Sequence, residues 1–369
     1  MFVAWRELRF ARGRFLLIGS VVALMTLLVG FLSGLTGGLA GQNISAVLQL
    51  PGDRLVLQKP TSDSPSFSTS AISTDVVSTW ENASGVDEVI PIGIAQSRGA
   101  KAGSEDLTGM ALFGLPSGNQ QRAQGAEYSD NELHDLVPSA DNEIGLSSGV
   151  AEDLGVGVRD SVTISGSTYT VSEVGGDLWY SHTPVVVLTE TAWSSMNQAM
   201  GGTGQPTVLA VTGDPDWESV ATQTDTEAMT ILSSLTALDA FMSEIGSLGL
   251  MIGMLFGISA LVVGAFFTVW TMQRQGDIAV LKALGATTGS LVKDALGQAF
   301  IVLTAGIGVG LLAVAGFGTL AGQALPFLLS PLTTLLPALI LMILGLAGAA
   351  FALRTITKTD PLTALGSNR

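Results

Sequence analysis

The sequence predicts an α-helical membrane protein with four transmembrane helices and an extracellular α+β domain inserted between helices 1 and 2. The main observation is where charge is absent: residues 15–52, 245–273 and 295–353 contain no Asp, Glu, Lys or Arg. About 20 apolar residues cross a bilayer, so the first two stretches each supply one span. The third is long enough for two spans, with a break near Pro326 and Pro331.

The charges that remain are segregated by sign, and this predicts the orientation. Residues 40–244 contain 27 acidic and 6 basic residues, whereas the rest of the chain contains 10 basic and 4 acidic ones. Because short loops rich in Lys and Arg stay in the cytoplasm, we expect a bacterial plasma-membrane protein with both termini inside and the acidic segment outside. The expected segments are a cytoplasmic interfacial helix 1–14, TM1 15–39, an extracellular domain 40–244, TM2 245–272, a cytoplasmic coupling segment 273–294, TM3 295–324, TM4 331–353 and a cytoplasmic tail 354–369.

Small residues recur every four positions in the first two spans. The first span has Gly30 and Gly34, and the second has Gly249, Gly253 and Gly257. This spacing allows helices to approach closely in lipid, although glycine is also simply common in membrane helices. We expect the first span to persist rather than to be cleaved as a signal peptide, because its apolar core of about 20 residues exceeds the usual 7–15.

The extracellular segment has two parts with different sequence patterns. It contains no Cys, so it must fold without disulfides, which is feasible for about 200 residues. Residues 60–150 are polar and predict loop-rich mixed structure, whereas residues 143–211 contain a short strand, a helix and alternating apolar runs that predict antiparallel strands. Residues 215–240 predict one polar to amphipathic helix that leads into the second span.

Several classes of function are excluded by missing motifs. The sequence has no GxxxxGK[ST] motif, so ATP hydrolysis must come from another subunit. It has no HExxH motif and no Cys nucleophile, and we therefore predict that the chain is not an enzyme. The acidic outer domain lacks the basic surface that binding to nucleic acid requires.

The loop between the second and third spans carries a motif. Ile278, Leu281 and Leu284 recur at helical spacing among charged residues, and Gly285 ends the pattern. Such a segment predicts a short amphipathic helix that docks on a partner or on the membrane surface.

The same loop is the first point at which the sequence resembles a known family. The segment RQGDIAVLKALGAT, residues 274–287, resembles the motif R-x-x-[DE]-I-x-[VL]-[RL][RK]-A-[LI]-G-A of permeases in the FtsX/MacB-like class of ABC transporters, and residues 360–365, DPLTAL, resemble the cytoplasmic ending of that class. The resemblance implies a homodimer that recruits two copies of an ATPase subunit. It also implies that coupling to the ATPase involves Asp277, Ile278, Leu281, Lys282, Leu284 and Gly285.

Within this class, the sequence is most similar to HrtB-type haem-efflux permeases. Three stretches carry the likeness: Ser33–Leu35 with Gln42–Ser45, Asp177–His182, and Ser243–Glu244 through Met251 to Gln273. The resemblance implies that haem is taken from the membrane and released outward. In this interpretation the chain needs no cofactor of its own, haem is the transported substrate, and ATP is used by the partner.

The residues that could bind haem follow from ligand chemistry. Haem iron is usually held by His, Met, Cys or Tyr, and an acid at the end of a span is costly unless it faces a cavity, a partner or water. Glu244 is the first candidate, and Met251 lies two helical turns further on the same face; these two are the possible iron ligands. The weaker candidates are Met242, Met254, Met25 and His182.

Two alternatives remain open for these residues and for the function. Glu244 could be an interfacial anchor, with the methionines as apolar filling and His182 as a structural loop residue. The function that the sequence favours is the permease subunit of an ABC-type exporter that extracts haem from the membrane and expels it outward. The alternatives are a MacB-like exporter of peptides or antibiotics and an FtsX-like signal transmitter that transports no substrate.

Overall fold

The computed structural model describes residues 12–60, 64–117, 131–239, 241–273, 276, 280, 282 and 284–358. The predicted interfacial helix over 1–14 lies outside these ranges except for its last three residues, and so does the tail after residue 358. The chain divides into two compact units. One is the membrane unit, residues 1–38 and 246–369, and the other is the extracellular unit, Leu39–Ile245.

Ten α-helices, two short 3-10 helices and ten strands are described. The helices are α1 Arg12–Ile44, α2 Thr74–Glu81, α3 Glu132–Asp135, α4 Ser148–Leu154, α5 Glu190–Ala199, α6 Trp217–Thr224, α7 Ile231–Ser234, α8 Phe241–Gln273, α9 Thr288–Ala321 and α10 Pro331–Lys358. The strands are β1 Arg54–Gln58, β2 Val86–Lys101, β3 Thr108–Leu115, β4 Glu143–Leu146, β5 Ser161–Ile164, β6 Ser167–Val174, β7 Trp179–Tyr180, β8 Thr183–Thr189, β9 Val208–Gly213 and β10 Thr226–Met229.

Four of these helices, α1, α8, α9 and α10, are long and apolar enough to cross a membrane. With the strand-rich insert between α1 and α8, they confirm the predicted fold class. Two helix boundaries differ from the sequence prediction. Helix α1 continues to Ile44 instead of ending at residue 39. Helix α9 begins at Thr288 because the hydroxyl of Thr287 accepts a hydrogen bond from the Ser290 amide and caps the helix there, so residues 288–294 of the predicted coupling segment are helical.

The glycines of α1 accommodate parts of the membrane unit that follow much later in the chain. A Cβ atom added at Gly30 would lie 2.7 Å from Cγ2 of Val314 on α9. Gly34 faces the ring of Phe327, and Gly38 faces the carbonyl of Pro326, both in the connection between α9 and α10. Small residues at this spacing therefore let α1 contact α9 and the α9–α10 connection.

The outer half of α8 is different. Its buried residues begin at Ser259 and include Val263 and Phe267 in its second half. Among the described residues, nothing lies within 4 Å of a Cβ atom built on Gly249, Gly253 or Gly257. No described residue packs against these three glycines, so this face of α8 is available to lipid or to another molecule.

Nine strands of the extracellular unit form a sheet in the order β10-β1-β9-β2-β3-β8-β4-β6-β5, and the short strand β7 pairs with β8. The last strand, β5, pairs back to β2, with Ala100 opposite Thr163, so six of the strands close into a barrel. The predicted strands and the helix in residues 143–211 are confirmed. They are not all antiparallel, however, because β3 runs parallel to β8 and β4 runs parallel to β6.

The described part of residues 60–150, predicted as loop-rich mixed structure, contains the sixteen-residue strand β2 and its partner β3. One further prediction for the extracellular unit was wrong. Residues 215–240 are not one helix. Asp225 adopts a left-handed conformation with φ 52° and ends α6, and the next residues pair with β1 as strand β10.

One side of the barrel is shaped by a pair of glycines. Gly93 on β2 lies directly opposite Gly114 on β3, and a Cβ atom at either position would collide with Trp193 of α5. Trp193 is buried. Because Gly93 and Gly114 have no side chains, they leave the space in which the indole of Trp193 packs.

Candidate functional site

Glu244 lies in the first turn of α8, which is the positive end of the helix dipole. Its side chain is partly buried, with 23% of its surface exposed. A carboxylate at the end of an otherwise uncharged helix needs polar partners. The structure supplies these partners from two other places in the extracellular unit.

The first partner is presented by a tight hairpin between β7 and β8. Tyr180 pairs with Thr183, which leaves a two-residue loop of Ser181 and His182. Both loop residues have positive φ, 46° and 62°, as a type I′ turn requires. Left-handed backbone costs a residue with a side chain about 1–2 kcal/mol, so compensating contacts must hold this turn.

Those contacts come from the end of α1. The amide of His182 donates to the carbonyl of Gln42 at 2.9 Å, and the amide of Ser181 donates to the carbonyl of Asn43 at 3.1 Å. These carbonyls belong to the last turn of a helix and have no helical donor of their own. The hairpin therefore caps α1, and the same contacts fix where the imidazole of His182 points.

Three side chains meet at this point: Asn43, His182 and Glu244. Nε2 of His182 is 2.9 Å from Oε2 of Glu244, and Nδ2 of Asn43 donates to the same oxygen at 3.2 Å. The two nitrogens are 3.3 Å apart. Within the described part of the chain, Oε1 of Glu244 receives no hydrogen bond, so one carboxylate oxygen is held and the other is available.

Asn43 is a site residue that the sequence did not reveal. It is completely buried, with 0% of its surface exposed, and its Oδ1 atom has no hydrogen-bond partner among the described residues. Burying an amide oxygen without a hydrogen-bond partner costs free energy. We therefore infer that the hydrogen bond from Nδ2 to Glu244 is the reason for an asparagine at this position. The only signal in the sequence was the family resemblance, which includes Gln42–Ser45 but assigns no role to Asn43.

The methionines lie in two different settings. Met242, Met251 and Met254 on α8 are all exposed, which leaves their thioethers free to contact lipid, a ligand or another chain. Met25 instead lines a small internal cavity of the membrane unit beside Thr26 and Ser259. The structure therefore brings His182 to Glu244 and places Met25 inside the helix bundle.

Part of the coupling motif is described. Asp277, Ile278 and Leu281 lie outside the described residues. Leu284 is 80% exposed, and Gly285 has a φ of 96° that favours glycine and ends the turn. An exposed leucine at the tip of a charged loop is available to a partner.

A cavity of about 370 Å³ adjoins the same hairpin and is lined by Phe67, Tyr180, Ser181 and Asp239 among others. Hydrogen bonds from Ser66 and Ser68 lower the pKa of Asp239, so this carboxyl stays ionised. Burial and the nearby Asp239 charge raise the pKa of Tyr180, which stays neutral. The cavity is therefore acidic and would repel an anionic group.

Nothing in the described ranges forms a group of three or more His, Asp or Glu side chains that could hold a metal ion. The Glu244–His182 pair alone offers too few ligands for a resident metal centre. It can instead supply one ligand or hydrogen-bond acceptor to a molecule that brings its own iron.

Comparison with known proteins places these features in a class. Residues 249–361 match the family model described as FtsX-like permease C-terminal. Over these residues the chain therefore carries an FtsX-like permease domain. With its four apolar helices, it is a plasma-membrane protein with an extracellular domain.

The full-length relatives are more specific. The chain is 26% identical over 371 residues to a permease of Staphylococcus epidermidis that is provisionally named hemin transport system permease protein HrtB, with all of both chains covered. It is 27% identical to the protein of the same name in Staphylococcus haemolyticus, with 99% of each chain covered. Both resemblances stated from the sequence, to FtsX-like and to HrtB-type permeases, are confirmed.

Among solved structures, the extracellular domain of the noncanonic ABC-type transporter YknZ from Gram-positive bacteria matches 48% of this chain and 99% of that chain, with 12% identity and a TM-score of 0.33.

Proposed function

We propose that this chain is the membrane subunit of an exporter that takes haem from the bilayer and expels it outward. A separate ATPase subunit supplies the energy. The name of the full-length relatives motivates the choice of haem. The charge distribution supports an orientation with both termini in the cytoplasm.

The observation that carries this proposal is the carboxylate of Glu244 at the head of α8. Its Oε2 atom is held by His182 and Asn43, and Oε1 is free to meet iron or a protonated propionate. Met251 follows seven residues later, which is two turns of helix, and offers a soft thioether of the kind that ligates haem iron. Together these groups suit a flat amphipathic iron porphyrin that arrives from the membrane.

The proposed assembly is a homodimer with two ATPase subunits. The stripe of Gly249, Gly253 and Gly257 has no neighbour in the described chain and offers a close-packing surface to a second copy. Exposed Leu284 would dock in a groove of the ATPase. ATP-driven movement of the cytoplasmic side would then rock the spans and release the substrate outward.

Two other functions predict different behaviour. A MacB-like exporter of peptides or antibiotics would not need an iron ligand at Glu244. An FtsX-like signal transmitter would move no substrate and would act on an extracellular partner. Both remain outcomes of the following experiment.

The test uses the full-length permease, reconstituted in lipid nanodiscs with its ATPase subunit. We expect hemin to stimulate ATP hydrolysis and to show an absorption spectrum with axial ligation by protein. Iron-free protoporphyrin IX is the matched probe, since it has the same shape and no iron. If hemin neither stimulates hydrolysis nor gives a protein-bound spectrum, the haem proposal is wrong and the two alternatives take its place.

A further inference from the structure

The contacts around Glu244 are asymmetric in a way that the proposed export of haem does not by itself require. Two nitrogens, His182 Nε2 at 2.9 Å and Asn43 Nδ2 at 3.2 Å, approach the same oxygen, Oε2. Two N–H groups that share one acceptor fix the carboxylate plane and turn the other oxygen away from them. Oε1, which accepts nothing from the described residues, therefore has a defined direction.

His182 and Asn43 both occupy positions where another residue type would be locally more favourable. His182 adopts a left-handed conformation at a position of the type I′ turn where glycine is preferred. Asn43 is fully buried, and its Oδ1 atom has no hydrogen-bond partner in the described ranges, where an apolar residue would leave no unpaired polar group. Both residues depart from the locally favoured choice, and both bond to Glu244.

We propose that His182 and Asn43 are positioning residues for Glu244: they hold Oε2 and thereby present Oε1 to the iron of the substrate. This inference rests on the proposed function. His182 acts through its Nε2–H tautomer, because a lone pair on Nε2 would face the carboxylate. Iron would bind Oε1 while both hydrogen bonds to Oε2 persist, so His182 is not itself an iron ligand.

The decisive variant is His182→Gly, because glycine satisfies the turn at φ 62° and removes only the imidazole. The matched control is Ser165→Gly. Ser165 has a φ of 49° and lies in the two-residue turn between Ile164 and Ser167 of another hairpin. Both variants should retain the thermal midpoint of the parent protein, so a change in haem binding cannot be attributed to unfolding.

In hemin titrations of the full-length permease in nanodiscs, His182→Gly should lower haem affinity by about 10–100-fold, as loss of a partner to a metal ligand typically does, and should shift the absorption spectrum. Ser165→Gly should change neither. His182→Gln should recover part of the affinity, because its side-chain amide can donate in place of Nε2–H. Asn43→Ala should weaken binding in the same direction as His182→Gly.

A double variant separates positioning from direct contact. If His182 acts through Glu244, then His182→Gly combined with Glu244→Ala should bind haem no more weakly than Glu244→Ala alone. Unchanged affinity in His182→Gly, alongside a loss in Glu244→Ala, would overturn the positioning roles and leave the proposed function intact. Tighter binding by His182→Gly would also overturn them, because His182 would then compete with iron. If the parent protein binds no haem, the proposed function itself fails.

Discussion

The pairing of Gly93 with Gly114 beneath Trp193 yields a prediction whose size can be worked out. In Gly114→Ala, the new Cβ atom would lie 2.5 Å from Cγ of Trp193 and still closer to its Cβ. Rotation of the indole cannot relieve a contact with Cβ, so α5 or the sheet must shift. Overpacking of a core costs about 1–3 kcal/mol. For a domain of this size, a cost near 2 kcal/mol lowers the melting temperature by about 4–8 °C.

The assay is thermal unfolding of the full-length protein in detergent, followed by tryptophan fluorescence. Gly109→Ala is the control on the same strand, since its Cβ atom would meet only Cγ2 of Thr183 at 3.7 Å. That distance is an ordinary van der Waals contact. Alanine also restricts the unfolded chain more than glycine does, so the free energy of unfolding of Gly109→Ala should be unchanged or higher by about 0.4–1 kcal/mol. A Gly114→Ala protein that melts at or above the temperature of Gly109→Ala would refute the reasoning.

The remaining predictions concern the site, the coupling loop and one titrating carboxyl. Glu244→Ala should weaken haem binding, shift the absorption spectrum of bound haem and abolish the haem tolerance of cells. Met251→Ala should give a smaller change in the same direction. A normal haem spectrum in Glu244→Ala would mean that Glu244 is only an interfacial anchor. Leu284→Asp should abolish stimulated ATP hydrolysis in the reconstituted complex without lowering the melting temperature, and full activity would mean that the leucine does not dock on the ATPase. Ser66→Ala should raise the pKa of Asp239, measured by NMR titration, because the Ser66 hydroxyl lowers it. Since the folded pKa of Asp239 is below the unfolded one, its contribution to stability is present above about pH 4 and is lost as pH falls through the folded pKa. The variant should lose less stability over that acidic range, and an unchanged pKa would contradict this account.

The features that sequence could predict are those that repeat or that extend over many residues. A run of about 20 uncharged, mainly apolar residues is typical of a transmembrane helix and of few other structures, and the run TPVVVLT has both the composition and the length of strand β8. Strand β2 was missed because Pro91, Gly93 and Gly99 interrupt its apolar pattern. The end of α6 was missed because it depends on one left-handed residue, Asp225.

The candidate site was predictable only in part, for a related reason. Glu244 stands out because it is an isolated charge beside an apolar run, whereas His182 was a weaker candidate, named for its ligand chemistry once the family resemblance had suggested haem. Asn43 gives no periodic signal, and its partner lies 201 residues away along the chain. A contact of this kind depends on the tertiary fold and cannot be found from local spacing.

The hydrogen bond between Asn43 and Glu244 also has a consequence for how such proteins can diversify. The two residues lie near the entry and the exit of the extracellular unit, which spans Leu39–Ile245, so both ends of a domain of about 200 residues are joined to each other at 3.2 Å. Inserted domains are tolerated where their ends lie close together. The Asn43–Glu244 bond joins the two ends directly, so an insert of a different length is compatible with the same junction as long as it keeps a hairpin that bonds to the end of α1 and to Glu244.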